Sequence, residues 1–148
     1  MNLIYKANDV RGRYPSELNE GEVRKIGLAL GEYFRLKTKT SNLKPVLIIG
    51  HDARLSSPSL YRTLKSSLKV EGVKLSGAKS AFGGLKVVEA GIMTTPMLYF
   101  LVNDLDADGG IMITASHNPK EYNGLKVVKK GARPIGGKQI EDLFFENL

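Results

Sequence analysis

A serine, a histidine and an asparagine follow one another where an apolar run stops. Ile111, Met112 and Ile113 read as a short buried strand, and Thr114-Ala115-Ser116-His117-Asn118-Pro119 closes it in small and polar residues. In an α/β sheet the C-terminal ends of strands are where ligands and chemistry collect. The groups presented there would be a hydroxyl, an imidazole and an amide, and Ser116 is the candidate reactive group. The same residue types also make ordinary turns and helix caps, and a histidine such as His117 is more often a capping or surface residue than a catalyst.

Three cations are placed to serve an anion. Arg11 lies beside Gly12 in the turn-rich stretch from Asn8 to Pro15, where a guanidinium could offer a planar fork to a phosphate. Arg54 follows Asp52 between a strand end and a helix start, a natural anion-binding position. Lys126 comes just after Asn123-Gly124, a hairpin signal, so it should lie early in a strand returning toward Ser116. There it could hold a phosphate or move a proton. His51 has no evident partner in the sequence and reads as structural.

The elements that must position these residues alternate. Val23, Ile26, Leu30, Tyr33 and Phe34 recur at helical spacing between Asn19 and about Lys37, with Asn19 and Glu22 as a capping-box variant. Pro45 to Gly50 is a buried strand. Ser57-Pro58 opens a helix to about Lys69 with Leu60, Leu64 and Leu68 on one face. Lys86 to Gly91 is the next strand, Thr95-Pro96 the next helix start, and Gly136 to Leu148 an amphipathic closing helix. Leu3-Ile4-Tyr5 is a β-prone opening, and the glycine-strewn segment Val70–Leu85 reads as an inserted surface stretch. This alternation predicts an α/β, three-layer α/β/α domain with a mixed sheet of about four strands and helices on both faces, residues 1–148 forming one domain.

At 148 residues, 42% hydrophobic and 25% charged, the chain suits one globular domain with a real core. It has no apolar run long enough for a bilayer, no leader pattern and no cysteine, so no membrane association and a cytoplasmic location are expected. Aspartates 104, 106 and 108 alternate as in a calcium loop, but that motif's glycine and final glutamate are out of register. The net charge of +7 asks for an acidic partner. The basic residues are spread rather than striped, which points away from nucleic acid and toward a phosphorylated small molecule.

Thr114-Ala115-Ser116-His117-Asn118-Pro119 resembles the signature loop of the α-D-phosphohexomutases, the family of phosphoglucomutases and phosphomannomutases. Asp9-Val10-Arg11-Gly12, Gly50-His51-Asp52-Ala53-Arg54-Leu55-Ser56-Ser57, Thr95-Pro96 and Tyr122-Asn123-Gly124-Leu125-Lys126 resemble further landmarks of the family, in order. The resemblance implies that Ser116 carries a phosphoryl group, exchanged between C1 and C6 of a hexose phosphate through a hexose 1,6-bisphosphate, which also serves as activator. It implies active-site roles for Arg11, Lys126 and His117. Asp52, Arg54, Thr114 and Asn118 would shape the serine loop or bind phosphate. Mg2+ would be held through the phosphate on Ser116. The runner-up within the resemblance is a phosphoglucosamine mutase domain, which shares the serine loop; Thr114, where that enzyme has serine, favours a phosphohexose enzyme. A non-catalytic module holding phosphorylated ligands or a partner domain is the alternative of another class.

One departure is large. The family's Asp-Gly-Asp-x-Asp-Arg metal loop is missing, as are the second to fourth domains. The expectation is therefore a first domain, either a fragment or a standalone relic, that turns over little by itself and needs the remaining domains in cis or in trans. The assembly state and the particular sugar stay open.

Overall fold

The computed structural model describes residues 3–37, 43–70 and 84–146. Among these, six strands and four helices run in the order β1 (Val10–Arg13), α1 (Glu20–Lys37), β2 (Val46–His51), α2 (Ser57–Leu68), β3 (Lys86–Ile92), α3 (Thr95–Asp104), β4 (Gly109–Ile113), β5 (Tyr122–Lys129), β6 (Arg133–Ile135) and α4 (Gly137–Glu146). They build one mixed sheet in the order β1-β5-β4-β2-β3, with β6 beside β1 on the free edge of β5. β2 is parallel to both β3 and β4, and β5 is antiparallel to β4 and to β1.

The period-two alternation of strand side chains divides the core into two layers. Leu47 and Ile49 of β2, with Ile111, Ile113, Leu125 and Val127, face α1, α2 and α4 through Ile26, Leu30, Leu60, Leu64 and Ile140. Ile48 of β2, with Met112 and Val128, faces Leu98 and Val102 of α3. The predicted three-layer α/β/α architecture is therefore present. Because α2 follows β2 on one face and α3 follows β3 on the other, the C-terminal ends of these neighbours open a crevice between them, the place where such sheets bind ligands.

The sheet has six strands where about four were expected. Val10–Arg13 read as a loop because Asp9, Gly12 and Pro15 are turn formers, yet it pairs with β5 along its length, Arg11 opposite Gly124 and Gly12 opposite Asn123. β6 is too short for any period to show, and Pro134 at its centre is tolerated because only one side of β6 is paired. Leu3-Ile4-Tyr5 contributes a single bridge, Tyr5 to Val10.

Asn123-Gly124 is not a turn but lies inside β5; the reversal occurs between Ser116 and Glu121. Two helix starts also move by one residue. Asn19 accepts from the Glu22 amide as expected, but Ser56 rather than Ser57 precedes α2, and Thr94 rather than Thr95 caps α3 by accepting from Met97. Most of the Val70–Leu85 segment, residues 71–83, falls outside the described residues.

Candidate functional site

The serine loop leaves the end of β4. The Thr114 amide still donates to the Gly124 carbonyl, and the chain then turns so tightly that Ser116 adopts φ +56°. The Thr114 hydroxyl accepts from the Ser116 amide at 3.0 Å, and the Asn118 amide donates to Ala115 O at 3.1 Å. Thr114 and Ala115 are buried while Ser116 and His117 are exposed. The Ser116 hydroxyl thus stands clear of the sheet, on a backbone held from beneath.

Arg54 holds it. A guanidinium has five N–H donors, and here each has a partner. Nε donates to Asp52 Oδ2 at 3.2 Å, Nη1 to the carbonyls of Pro119 and Tyr122 at 2.7 and 3.1 Å, and Nη2 to those of Ser116 and Asn118, both at 2.8 Å. Asp52 is itself fixed by the Arg54 amide and the Ser57 hydroxyl. Arg54 was a candidate phosphate ligand or loop support. With every donor engaged by Asp52 and main-chain carbonyls, it supports the loop and has none left for a phosphate.

Arg11 differs. Its Nε donates to Asp9 Oδ1 at 2.8 Å and its Nη1 to Asn118 Oδ1 at 2.6 Å, whereas Nη2 has no partner among the described residues. Its side chain crosses Gly124 of β5, where a Cβ would lie 2.8 Å from Arg11 Cγ and 2.2 Å from the Val10 carbonyl. The glycine is what lets β1 and its arginine approach. Lys126, two residues further along the same face, donates to Asp9 Oδ2 at 3.1 Å. Asp9 is 1% exposed, and Arg11 and Lys126 are 24% and 22% exposed. One buried carboxylate therefore joins two cations, each about a quarter exposed.

Of the expected site residues, Arg11, Asp52, Arg54, Thr114, Ser116, Asn118 and Lys126 come together by these bonds. His117 sits on the same loop but is exposed and has no hydrogen-bond partner among the described residues. His51 is buried, bonds Asp52 O through Nδ1 and packs on Tyr61, with ring centres 4.7 Å apart. Two residues outside the expected set matter. Asp9 stood in the quoted Asp-Val-Arg-Gly stretch, and its link to Lys126 is visible only once β1 and β5 pair. Asn123, fully buried, donates to the Ser56 and Ser57 hydroxyls at 2.7 and 2.9 Å and so ties β5 to the start of α2.

Ser116 lies where two depressions meet. One, of about 400 Å³, is the crevice at the strand ends, walled by Met93, Thr94, Met112 and Thr114; the other, of about 440 Å³, is shallower and edged by Asn118 and Lys120. Among the described residues no three carboxylate or imidazole groups converge to hold a metal ion. In the acidic loop the exposed Asp106 pairs with Lys130, and Asp108 accepts the Val46 amide. No helix among the described residues is long and apolar enough to cross a membrane.

A family model for phosphoglucomutase/phosphomannomutase, alpha/beta/alpha domain I, matches residues 2–147. The chain is 41% identical over 131 residues to a protein of Xanthomonas campestris pv. campestris named for phosphohexose mutases, a match covering 88% of this chain and 25% of that one. It is 40% identical over 133 residues to the phosphomannomutase of Escherichia coli K12, covering 90% of this chain and 25% of the relative. The crystal structure of a phosphoglucomutase/phosphomannomutase family protein from Burkholderia thailandensis superposes with a TM-score of 0.78 and 32% identity over 99% of this chain and 30% of that one. The chain spans about a quarter of the length of these relatives.

Proposed function

The chain belongs to the phosphoglucomutase/phosphomannomutase family, as its alpha/beta/alpha domain I, and from that membership we propose that Ser116 is the phosphoryl carrier of a hexose phosphate mutase. Phospho-Ser116 gives its phosphoryl group to a sugar hydroxyl of a hexose phosphate. The hexose 1,6-bisphosphate so formed turns around and returns its other phosphate to Ser116, which moves phosphate between C1 and C6. Each half-reaction breaks one P–O bond and makes one, and the hydroxyl proton must leave with the attack.

Such a transfer needs positioning and charge neutralisation more than covalent help. The observation that carries the reading is the contrast between the two arginines that bond to the serine loop. Arg54 is saturated by the loop it holds, whereas Arg11 stands against Asn118 with its side chain 24% exposed and, among the described residues, no partner for Nη2. Arg11 is thus the group to neutralise phosphate oxygens. Lys126 is the group to contact phosphate or move the hydroxyl proton, and His117 helps from the open side of the loop.

Magnesium fits only in part. This chain offers Ser116 through its phosphate, while Asp52, the carboxylate bordering the same depression, is already bonded to Arg54 and Ser57. The other ligands would come from further domains of the mutase, in cis or in trans. For the same reason the chain by itself would turn over little.

The test is to treat the polypeptide purified from its source with a hexose 1,6-bisphosphate and Mg2+ and map its phosphate. Phosphate on Ser116 is the expected result. An unmodified Ser116, or a Ser116→Ala polypeptide with undiminished mutase activity, would overturn the proposal.

A further inference from the structure

Resting on the reading of Ser116 as phosphoryl carrier, we infer that Asp9 is a positioning residue for the transfer: its one buried carboxylate sets where both Arg11 and Lys126 stand beside the serine loop. Among the described residues it is the group that touches both cations, one oxygen to each, at 2.8 and 3.1 Å. A carboxylate taken out of water is costly unless paired, so burial at 1% exposure binds Asp9 to these two partners. The two partners in turn need it. Arg11 and Lys126 carry long side chains with like charge, and without a shared anion each would gain rotamers and lean away from the other.

The carboxylate is fixed from behind as well. The Asp9 carbonyl accepts the Lys6 amide at 2.8 Å, and the Arg11 amide donates to Ile4 O at 2.8 Å, closing a tight turn. That turn is seated on the start of α4. A Cβ at Gly137 would lie 2.3 Å from Lys6 O and 2.5 Å from Asp9 O, and one at Gly136 would lie 2.4 Å from Ala7 O. The glycine pair brings the helix start against the turn with no slack between them. A line of contact thus runs from Gly136-Gly137 through the Lys6–Asp9 turn to the two cations and, by the Arg11–Asn118 bond, to the loop of Ser116.

Asn at position 9 keeps one acceptor for Arg11 but turns an amide N–H2 toward the Lys126 ammonium. In the protein as purified from its source, together with the further domains that turnover requires, Asp9→Asn is expected to lower kcat about a hundredfold with KM within about threefold, since misplacing a catalytic group by an ångström has that effect. In a Lys126→Met background the same change should cost less than about threefold more, because residues acting as one unit are not additive. Asp9→Glu keeps the charge but pushes it one methylene further, and is expected to lose kcat also.

Two independent, multiplying losses for Asp9→Asn and Lys126→Met would overturn the inference, as would full kcat in Asp9→Glu. The Glu variant decides the matter should the Asn variant fail to fold. A wild type that takes no phosphate on Ser116 sinks the carrier reading and this inference together, whereas a phosphorylated wild type whose Asp9→Asn variant keeps its kcat sinks this inference alone.

Discussion

Arg54 and Ser116, 62 positions apart in the chain, are joined side chain to main chain: Arg54 Nη2 donates 2.8 Å to the Ser116 carbonyl. The loop bearing the candidate nucleophile takes its shape from the segment after β2 as much as from its own residues. Arg54→Lys replaces a five-donor planar fork by a three-donor point charge. The expected result is a loss of about 1–3 kcal/mol in denaturant unfolding, from carbonyls left without donors. The amides of Ser116, His117 and Asn118 should exchange hydrogen faster, and unchanged exchange there would contradict the role given to Arg54.

Ser116 has φ +56°, in the left-handed region that favours glycine. Two variants that both lack the hydroxyl should therefore differ in stability. Ser116→Gly is expected to unfold at higher denaturant than Ser116→Ala, by about 1 kcal/mol. Neither should accept phosphate at this position. Equal midpoints would mean that the loop relaxes when the hydroxyl is lost.

Asn123 is fully buried and bonds two serine hydroxyls and the Gly124 amide. Asn123→Ala removes the donors to Ser56 and Ser57, of which Ser57 also holds Asp52. A loss of about 1–3 kcal/mol follows from leaving buried polar groups unpaired. The measurement is equilibrium unfolding of the variant against wild type, and a change below about half a kilocalorie would show that water replaces the amide.

Acid should weaken one particular contact. The Ser59 hydroxyl, and then Tyr14, hydrogen-bond the Glu20 carboxylate and hold its pKa below the usual 4.5. A carboxylate with a depressed folded pKa gives stability that is full above its unfolded value and lost as pH falls through the folded one. The stability gap between wild type and Ser59→Ala should therefore be widest near neutral pH and close as the solution becomes more acidic than the ordinary carboxylate range. A gap that widens in acid would contradict the assignment.

The parts of the site legible in the sequence were those that announce themselves locally. The serine loop follows a buried run and ends in proline, and Arg54 sits between a strand and a helix start marked by Ser57-Pro58. The layering was legible too, because the helix stripes and buried strands carry distinct periods. Other parts depend on register between distant segments. β1 is four residues long and framed by turn formers, so its pairing with β5 leaves no periodic trace. Without that pairing Asp9 is only one more loop carboxylate, and nothing local brings it to Lys126, 117 positions away. Asn123-Gly124 misled for a related reason. The glycine serves the close approach of β1 and the amide serves α2, two demands that produce the same dipeptide as a hairpin turn.

On the loop itself, Arg54 reads only main-chain oxygens, those of Ser116, Asn118, Pro119 and Tyr122. Every amino acid supplies that oxygen. The contour of the loop is thereby separated from the identity of its exposed side chains, so a different nucleophile at position 116 or another group at 117 would inherit the same mounting. The scaffold works as a socket, one whose grip is indifferent to the tool it holds.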